Sequence, residues 1–108
     1  MAEKIKLVQG DNRPFITITL SQVDGSPVNL SGSTVTVAFR AVGSTLVLAT
    51  IPVVVTDDLG GIGYFDFPGA TLDVEPGPYE GEVKIVFANG DKQRVYDLLK
   101  FNLREKVA

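Results

Sequence analysis

Two stretches decide the fold: Ser33-Thr-Val-Thr-Val-Ala-Phe-Arg-Ala-Val42 and Pro78-Tyr-Glu-Gly-Glu-Val-Lys-Ile-Val-Phe-Ala88. In the first, Val35, Val37, Phe39 and Ala41 alternate with Thr34, Thr36 and Arg40. In the second, Tyr79, Val83, Ile85 and Phe87 alternate with Glu80, Glu82 and Lys84. Successive side chains of a strand point to opposite faces, so this period of two predicts two half-buried β-strands. Gly81 falls on the inner face of the second, where a missing side chain permits close approach or a bulge.

The same alternation extends outward. Residues 15–22 set Ile16, Ile18 and Leu20 against Thr17, Thr19 and Ser21. Residues 5–8, 92–97 and 100–107 supply further strands. Val, Ile, Thr, Tyr and Phe make up 38 of the 108 residues, a composition that suits a pleated surface rather than a helix. Glycine and proline punctuate the runs. Asn89-Gly90-Asp91 and Asp24-Gly25-Ser26-Pro27 are tight-turn sequences, and Asp58-Leu59-Gly60-Gly61 closes another hairpin. Pro76-Gly77-Pro78 stiffens the approach to the long second strand, and residues 68–73 form a crossover with room for one helical turn. Seven or eight strands spaced by such turns predict a single all-β domain over residues 1–108, an antiparallel immunoglobulin-like β-sandwich, with a small barrel as the alternative.

Composition narrows the chemistry. There is no cysteine, so disulfides, thiolate metal sites and cysteine nucleophiles are excluded. Histidine is also absent, which removes the commonest general base and the usual zinc ligand. Ten basic and thirteen acidic residues give a net charge of −3, against the basic surplus of a nucleic-acid binder. The start of the chain has no apolar h-region, and the longest apolar run, residues 46–55, is too short for a bilayer. Synthesis in the cytoplasm without membrane insertion is the expectation. Charge is uneven along the chain: between Ala41 and Val83 there are seven acids and no base. Either the fold separates these charges into a dipole, or antiparallel strands interleave them and the dipole vanishes.

Few residues carry candidate chemistry. Glu80 and Glu82 lie on one strand face about 7 Å apart, the spacing of a glycosidase pair, although acids on a strand face are usually just solvated. Asp57 and Asp58 cluster oxygens as calcium requires, without the alternation of an EF-hand loop; a turn in which they bond local N–H groups is the preferred reading. Arg13, in Gly10-Asp11-Asn12-Arg13-Pro14, is placed to grip a partner carboxylate, while Gly10, Asp11 and Pro14 set a turn and the next strand. Gly25, Gly60, Gly77 and Gly90 are the other turn-setting residues. No catalytic, cofactor or metal site is expected. Residues 46–55 are the apolar anomaly. Val53, Val54 and Val55 break the alternation, and Pro52 cannot donate to a ladder, so an edge strand is expected. An exposed apolar edge needs a cover, which makes Leu46, Leu48, Val53, Val54 and Val55 the candidate partner interface. A mean hydropathy of +0.19, high for a small lone domain, agrees with this.

The order of these features resembles one family. Val8-Gln-Gly-Asp-Asn-Arg-Pro-Phe-Ile-Thr-Ile-Thr-Leu resembles a GD-x-RP opening before an alternating strand. Asp24-Gly-Ser-Pro-Val-Asn-Leu-Ser-Gly-Ser-Thr-Val resembles a DG-x-PV-x-L-x-G-x-TV stretch. Gly61-Ile-Gly-Tyr-Phe-Asp-Phe then precedes an acidic crossover, and Pro76-Gly-Pro-Tyr-Glu-Gly-Glu-Val resembles a PG-x-Y-x-x-E strand. Together they are similar to the N-terminal domain of phage baseplate upper proteins, a domain found also in other phage tail and fibre components. The resemblance runs from Lys6 to Asn102. It implies an immunoglobulin-like sandwich that anchors a fibre or receptor-binding element to a virion, with Gly10, Asp11, Arg13, Pro14, Tyr79 and Glu82 matching the shared pattern as fold-setting residues. It offers no catalytic residue. In baseplate upper proteins helical and carrier regions follow this domain, whereas this sequence stops at Ala108. The expected role is therefore a virion adaptor or anchor, binding other virion proteins and copies of itself, in the tail, baseplate or fibre attachment. The alternatives are a capsid or neck decoration protein and a carbohydrate-binding module using Tyr64 and Tyr96.

Overall fold

A computed structural model of the chain describes residues 5–95 and 98–107. Nine strands follow in order: β1 (Ile5–Val8), β2 (Ile16–Thr19), β3 (Thr34–Ala41), β4 (Ala49–Pro52), β5 (Val54–Asp57), β6 (Ile62–Phe65), β7 (Gly77–Val86), β8 (Lys92–Arg94) and β9 (Leu99–Arg104). They form two sheets. The larger runs β1-β9-β7-β3-β4, with β8 also on β7, and the smaller runs β2-β6-β5. Chain order and sheet membership together are those of an immunoglobulin-type sandwich. No helix is present among the described residues.

Two features depart from the sequence reading. The sandwich is not wholly antiparallel, because β1 pairs with β9 in parallel, Ile5 opposite Phe101 and Val8 opposite Arg104. Nothing local announces a contact between the two ends of a chain. Further, residues 46–55 are not one strand. Residues 46–48 are loop, and the chain then changes sheet: the Val53 amide still donates to Val35 of the large sheet, while Val54 pairs with Tyr64 of the small one. Pro52, unable to donate, ends β4 beside this switch. The split brings the strand count to nine.

The core lies between the sheets, and aromatic rings dominate it. Phe39 stacks on Tyr79 and meets Phe67 and Phe101 edge-on, while Phe65 meets Phe67. All the phenylalanines of this cluster are fully buried. Gly81 makes room for it: a Cβ there would stand 2.8 Å from Val37 Cγ1 and 3.1 Å from the Phe101 ring. The position two residues after the corner tyrosine, a cysteine in antibody domains, is thus given over to ring packing.

Tyr79 closes the turn into β7, donating its hydroxyl to the Glu75 carbonyl. This is the tyrosine corner of immunoglobulin-like sandwiches. Burial, and secondarily the Glu75 carboxylate, raise the phenol above its ordinary value. A raised folded value means that stability is intact below the unfolded value near ~10 and falls as pH rises through the folded one. Tyr79→Phe is expected to cost about 1 kcal/mol at neutral pH and to flatten this alkaline loss. Urea midpoints across alkaline pH check it; a wild-type slope in the variant would refute the corner's role.

Candidate functional site

The site begins at the sheet edges. Among the described residues β4 pairs only with β3, and β5 only with β6, so each closes one side of its sheet and carries an unpaired ladder. Before β4, the β3–β4 loop exposes an apolar run: Val42 is 47% exposed, Leu46 67%, Val47 47% and Leu48 42%. Backbone turns hold the loop in place, with the Ser44 amide on Ala41 and the Leu48 amide on Phe39. Of the five apolar residues expected at an interface, Leu46, Leu48 and Val54 are exposed. Val53 and Val55 instead pack against the core, because the sheet switch turns them inward. Val42 and Val47 belong to the exposed run, and a reading that took residues 46–55 as one strand had no reason to join them.

Val54 continues onto a second surface. On the outer face of the small sheet the register places Thr17, Tyr64 and Val54 in one row. Exposed Phe15 adds its ring, meeting Tyr64 edge to face at 5.4 Å. Tyr96, the other aromatic expected to stack on a sugar, lies outside the described residues. Arg13 is exposed in the loop ahead of β2, and Pro14 is half-buried beside it.

The carboxylates take structural positions. Glu80 points to the outer face of the large sheet, yet it is buried, and the expectation that it is simply solvated is wrong. Arg40 from β3 donates through Nε and Nη2 to its Oε2, both at 2.7 Å, and Lys100 Nζ from β9 stands 3.6 Å from Oε1. The stems of these two long side chains flank the carboxylate and cover it. Glu82 pairs with Arg94 of β8 at 3.2 Å. Both glutamates thus cross-link strands on the outer face of the large sheet.

Asp57 and Asp58 serve the β5–β6 turn. Asp57 Oδ1 accepts from the Gly60 amide, and Asp58 accepts from the Leu59 amide and the Ser31 hydroxyl. No three His, Cys, Asp or Glu side chains converge as metal ligands among the described residues. Gly10, Gly25, Gly77 and Gly90 all have positive φ, although Gly77 is the first residue of β7 and pairs with Leu103. Gly60 does not; Gly61 carries the positive φ of that turn.

No protein-family model matches the chain, and no curated protein matches it. Its functional surfaces therefore have to be read from their own chemistry. One groove opens at the end of the sandwich, between the β2–β3 connection and the β7–β8 turn, with Asn29, Ser31, Phe87, Asn89 and Asp91 in its walls. Its polar groups are engaged locally: Asn29 accepts from the Ser31 amide, and Asn89 bonds Asp91 through both amide atoms. The exposed apolar side chains of the β3–β4 loop, beside the free edge of β4, are the surface that solvent least favours.

Proposed function

We propose that this protein is a bacteriophage virion component, a non-enzymatic adaptor or anchor in the tail, baseplate or fibre attachment that works through protein–protein interfaces. Two things support the reading: the ordered motifs that resemble the baseplate upper protein domain, and the exposed run Val42, Leu46, Val47 and Leu48 beside two open strand edges. The second carries it. Apolar side chains at a sheet edge invite association, and soluble monomers usually blunt such an edge with charge. Here the first acid after Ala41 is Asp57, beyond both edge strands' apolar residues. An assembly that repeats one contact around a symmetric particle makes good use of a modest patch.

Val54→Lys tests this. Val54 is 51% exposed, so a lysine there leaves the core intact. Light scattering at several concentrations should show a defined oligomer for the wild type and a smaller mass for the variant, with melting temperatures that agree. An unchanged mass would remove the edge from the interface.

A further inference from the structure

We propose that the outer face of the large sheet is a docking surface for the acidic side of a second copy of this chain, so that copies join head to tail. The inference deepens the assembly role proposed above and rests on it. Its starting point is strand register. Alternation puts Lys6 of β1, Lys100 and Arg104 of β9, Lys84 of β7, and Arg40 of β3 on the outer face. Pairing of Lys84 with Arg94 and of Val86 with Lys92 adds both β8 cations. Seven of the nine Lys and Arg residues among those described thus share one face. Among the described residues only Glu80 and Glu82 oppose them there, and both are already bridged.

The other side of the molecule has the opposite character. Asp57 and Asp58 lie at the β5–β6 turn and Asp66 just after β6, while Asp73 and Glu75 lie in the crossover to β7, which bonds Gln9 and Gly10 after β1 and brings Asp73 beside Lys106. None of the small sheet's strands contains a lysine or arginine. The acids of the stretch without a base, residues 42–82, thus lie off the strands of the basic face, except for the two glutamates that this face absorbs. Between these acids the small sheet shows Phe15, Tyr64 and Val54, an apolar centre with charge at its ends. That is the anatomy of an interface core and rim.

Charge complementarity identifies the partner. A chain of net charge −3 that concentrates its cations on one face carries its own complement on the other. The molecule measures 44 × 24 × 23 Å, so its broad face has room for the ~800 Å² per partner of a standard interface. Joining unlike faces is heterologous, and such contacts propagate into a ring or a stack.

Sedimentation and light scattering of the full chain at low and high salt test the proposal. Association should weaken about tenfold or more as salt screens the faces. Lys84→Glu with Lys92→Glu, and separately Asp66→Lys with Glu75→Lys, should each abolish self-association. Mixing the two variants should restore it, since reversed faces again complement each other. A salt-independent mass, or no rescue on mixing, overturns the proposal. So does a monomer at every salt whose basic face instead retains a double-stranded oligonucleotide. Leu46→Lys separates the two ideas, because Leu46 is exposed in the β3–β4 loop and belongs to neither docking face. If that variant alone sets the mass, the assembly role stands and head-to-tail docking fails. If mass follows salt and charge reversal but not Leu46, docking stands and the apolar loop fails.

Discussion

Phe39→Ala is expected to come close to unfolding the protein. Phe39 is fully buried at the middle of β3 and touches three other rings: Tyr79 beside it on β7, Phe101 on β9 and Phe67 beyond the end of β6. Truncation removes the transfer energy of the ring and leaves a cavity that rigid neighbours cannot fill, a loss of about 3–5 kcal/mol. Domains of this size hold roughly 5–15 kcal/mol in all. With roughly 4 °C lost per kcal/mol, the melting temperature should fall by more than ~10 °C. Leu59→Ala is the control, since Leu59 is 66% exposed in a turn and its loss should change stability by less than ~0.5 kcal/mol. Calorimetry of both variants decides the matter. A Phe39→Ala melt within a few degrees of wild type would mean that the two sheets do not share this aromatic core.

That core was legible in the sequence because it obeys a short-range rule. Val35, Val37 and Phe39 on β3, and Tyr79, Gly81, Val83 and Ile85 on β7, are buried in the alternation that the sequence shows. The Asn89-Gly90 and Asp58–Gly61 hairpins are where turn chemistry puts them. What escaped depends on partners distant in sequence. The parallel β1–β9 pair joins residues more than ninety positions apart. Glu80 reads as a wet residue, since alternation assigns a face but cannot foresee that Arg40 and Lys100 will close over that face. The charge asymmetry between Ala41 and Val83 was visible, yet only the sheet order shows that the cations gather on one face. At the candidate interface the apolar character of residues 46–55 was plain. Which of them face solvent depended on the sheet switch at Val53, a tertiary event with Pro52 as its single local sign.

The same limit applies to the β5–β6 turn, where two adjacent glycines look equivalent in sequence and Gly61→Ala is expected to be far the more damaging change. Gly61 has φ +69°, a conformation that costs other residues about 1–2 kcal/mol. A Cβ there would also lie 2.5 Å from the Leu20 carbonyl oxygen and 3.0 Å from that of Val28. Both are backbone atoms, so neither can swing aside. The Leu20 carbonyl is engaged as well, accepting from the Val28 amide, while the Leu20 amide donates to the Gly61 carbonyl. Relieving the clash pulls the hairpin off the end of β2 and strands buried polar groups, adding a further ~1–3 kcal/mol. The whole cost is then about 2–5 kcal/mol. Gly60 differs. Its backbone is ordinary, and the atom its Cβ would meet is the Asp57 carboxylate, the mobile end of a side chain. Gly60→Ala should lose that one exposed hydrogen bond, about 1 kcal/mol or less. Gly90→Ala falls between them, with a positive φ but open space around it. Urea midpoints for the three variants should therefore run wild type, Gly60→Ala, Gly90→Ala, Gly61→Ala in order of falling stability. If Gly61→Ala matched Gly90→Ala, the close backbone contact between the β5–β6 turn and the chain just after β2 would not exist in solution.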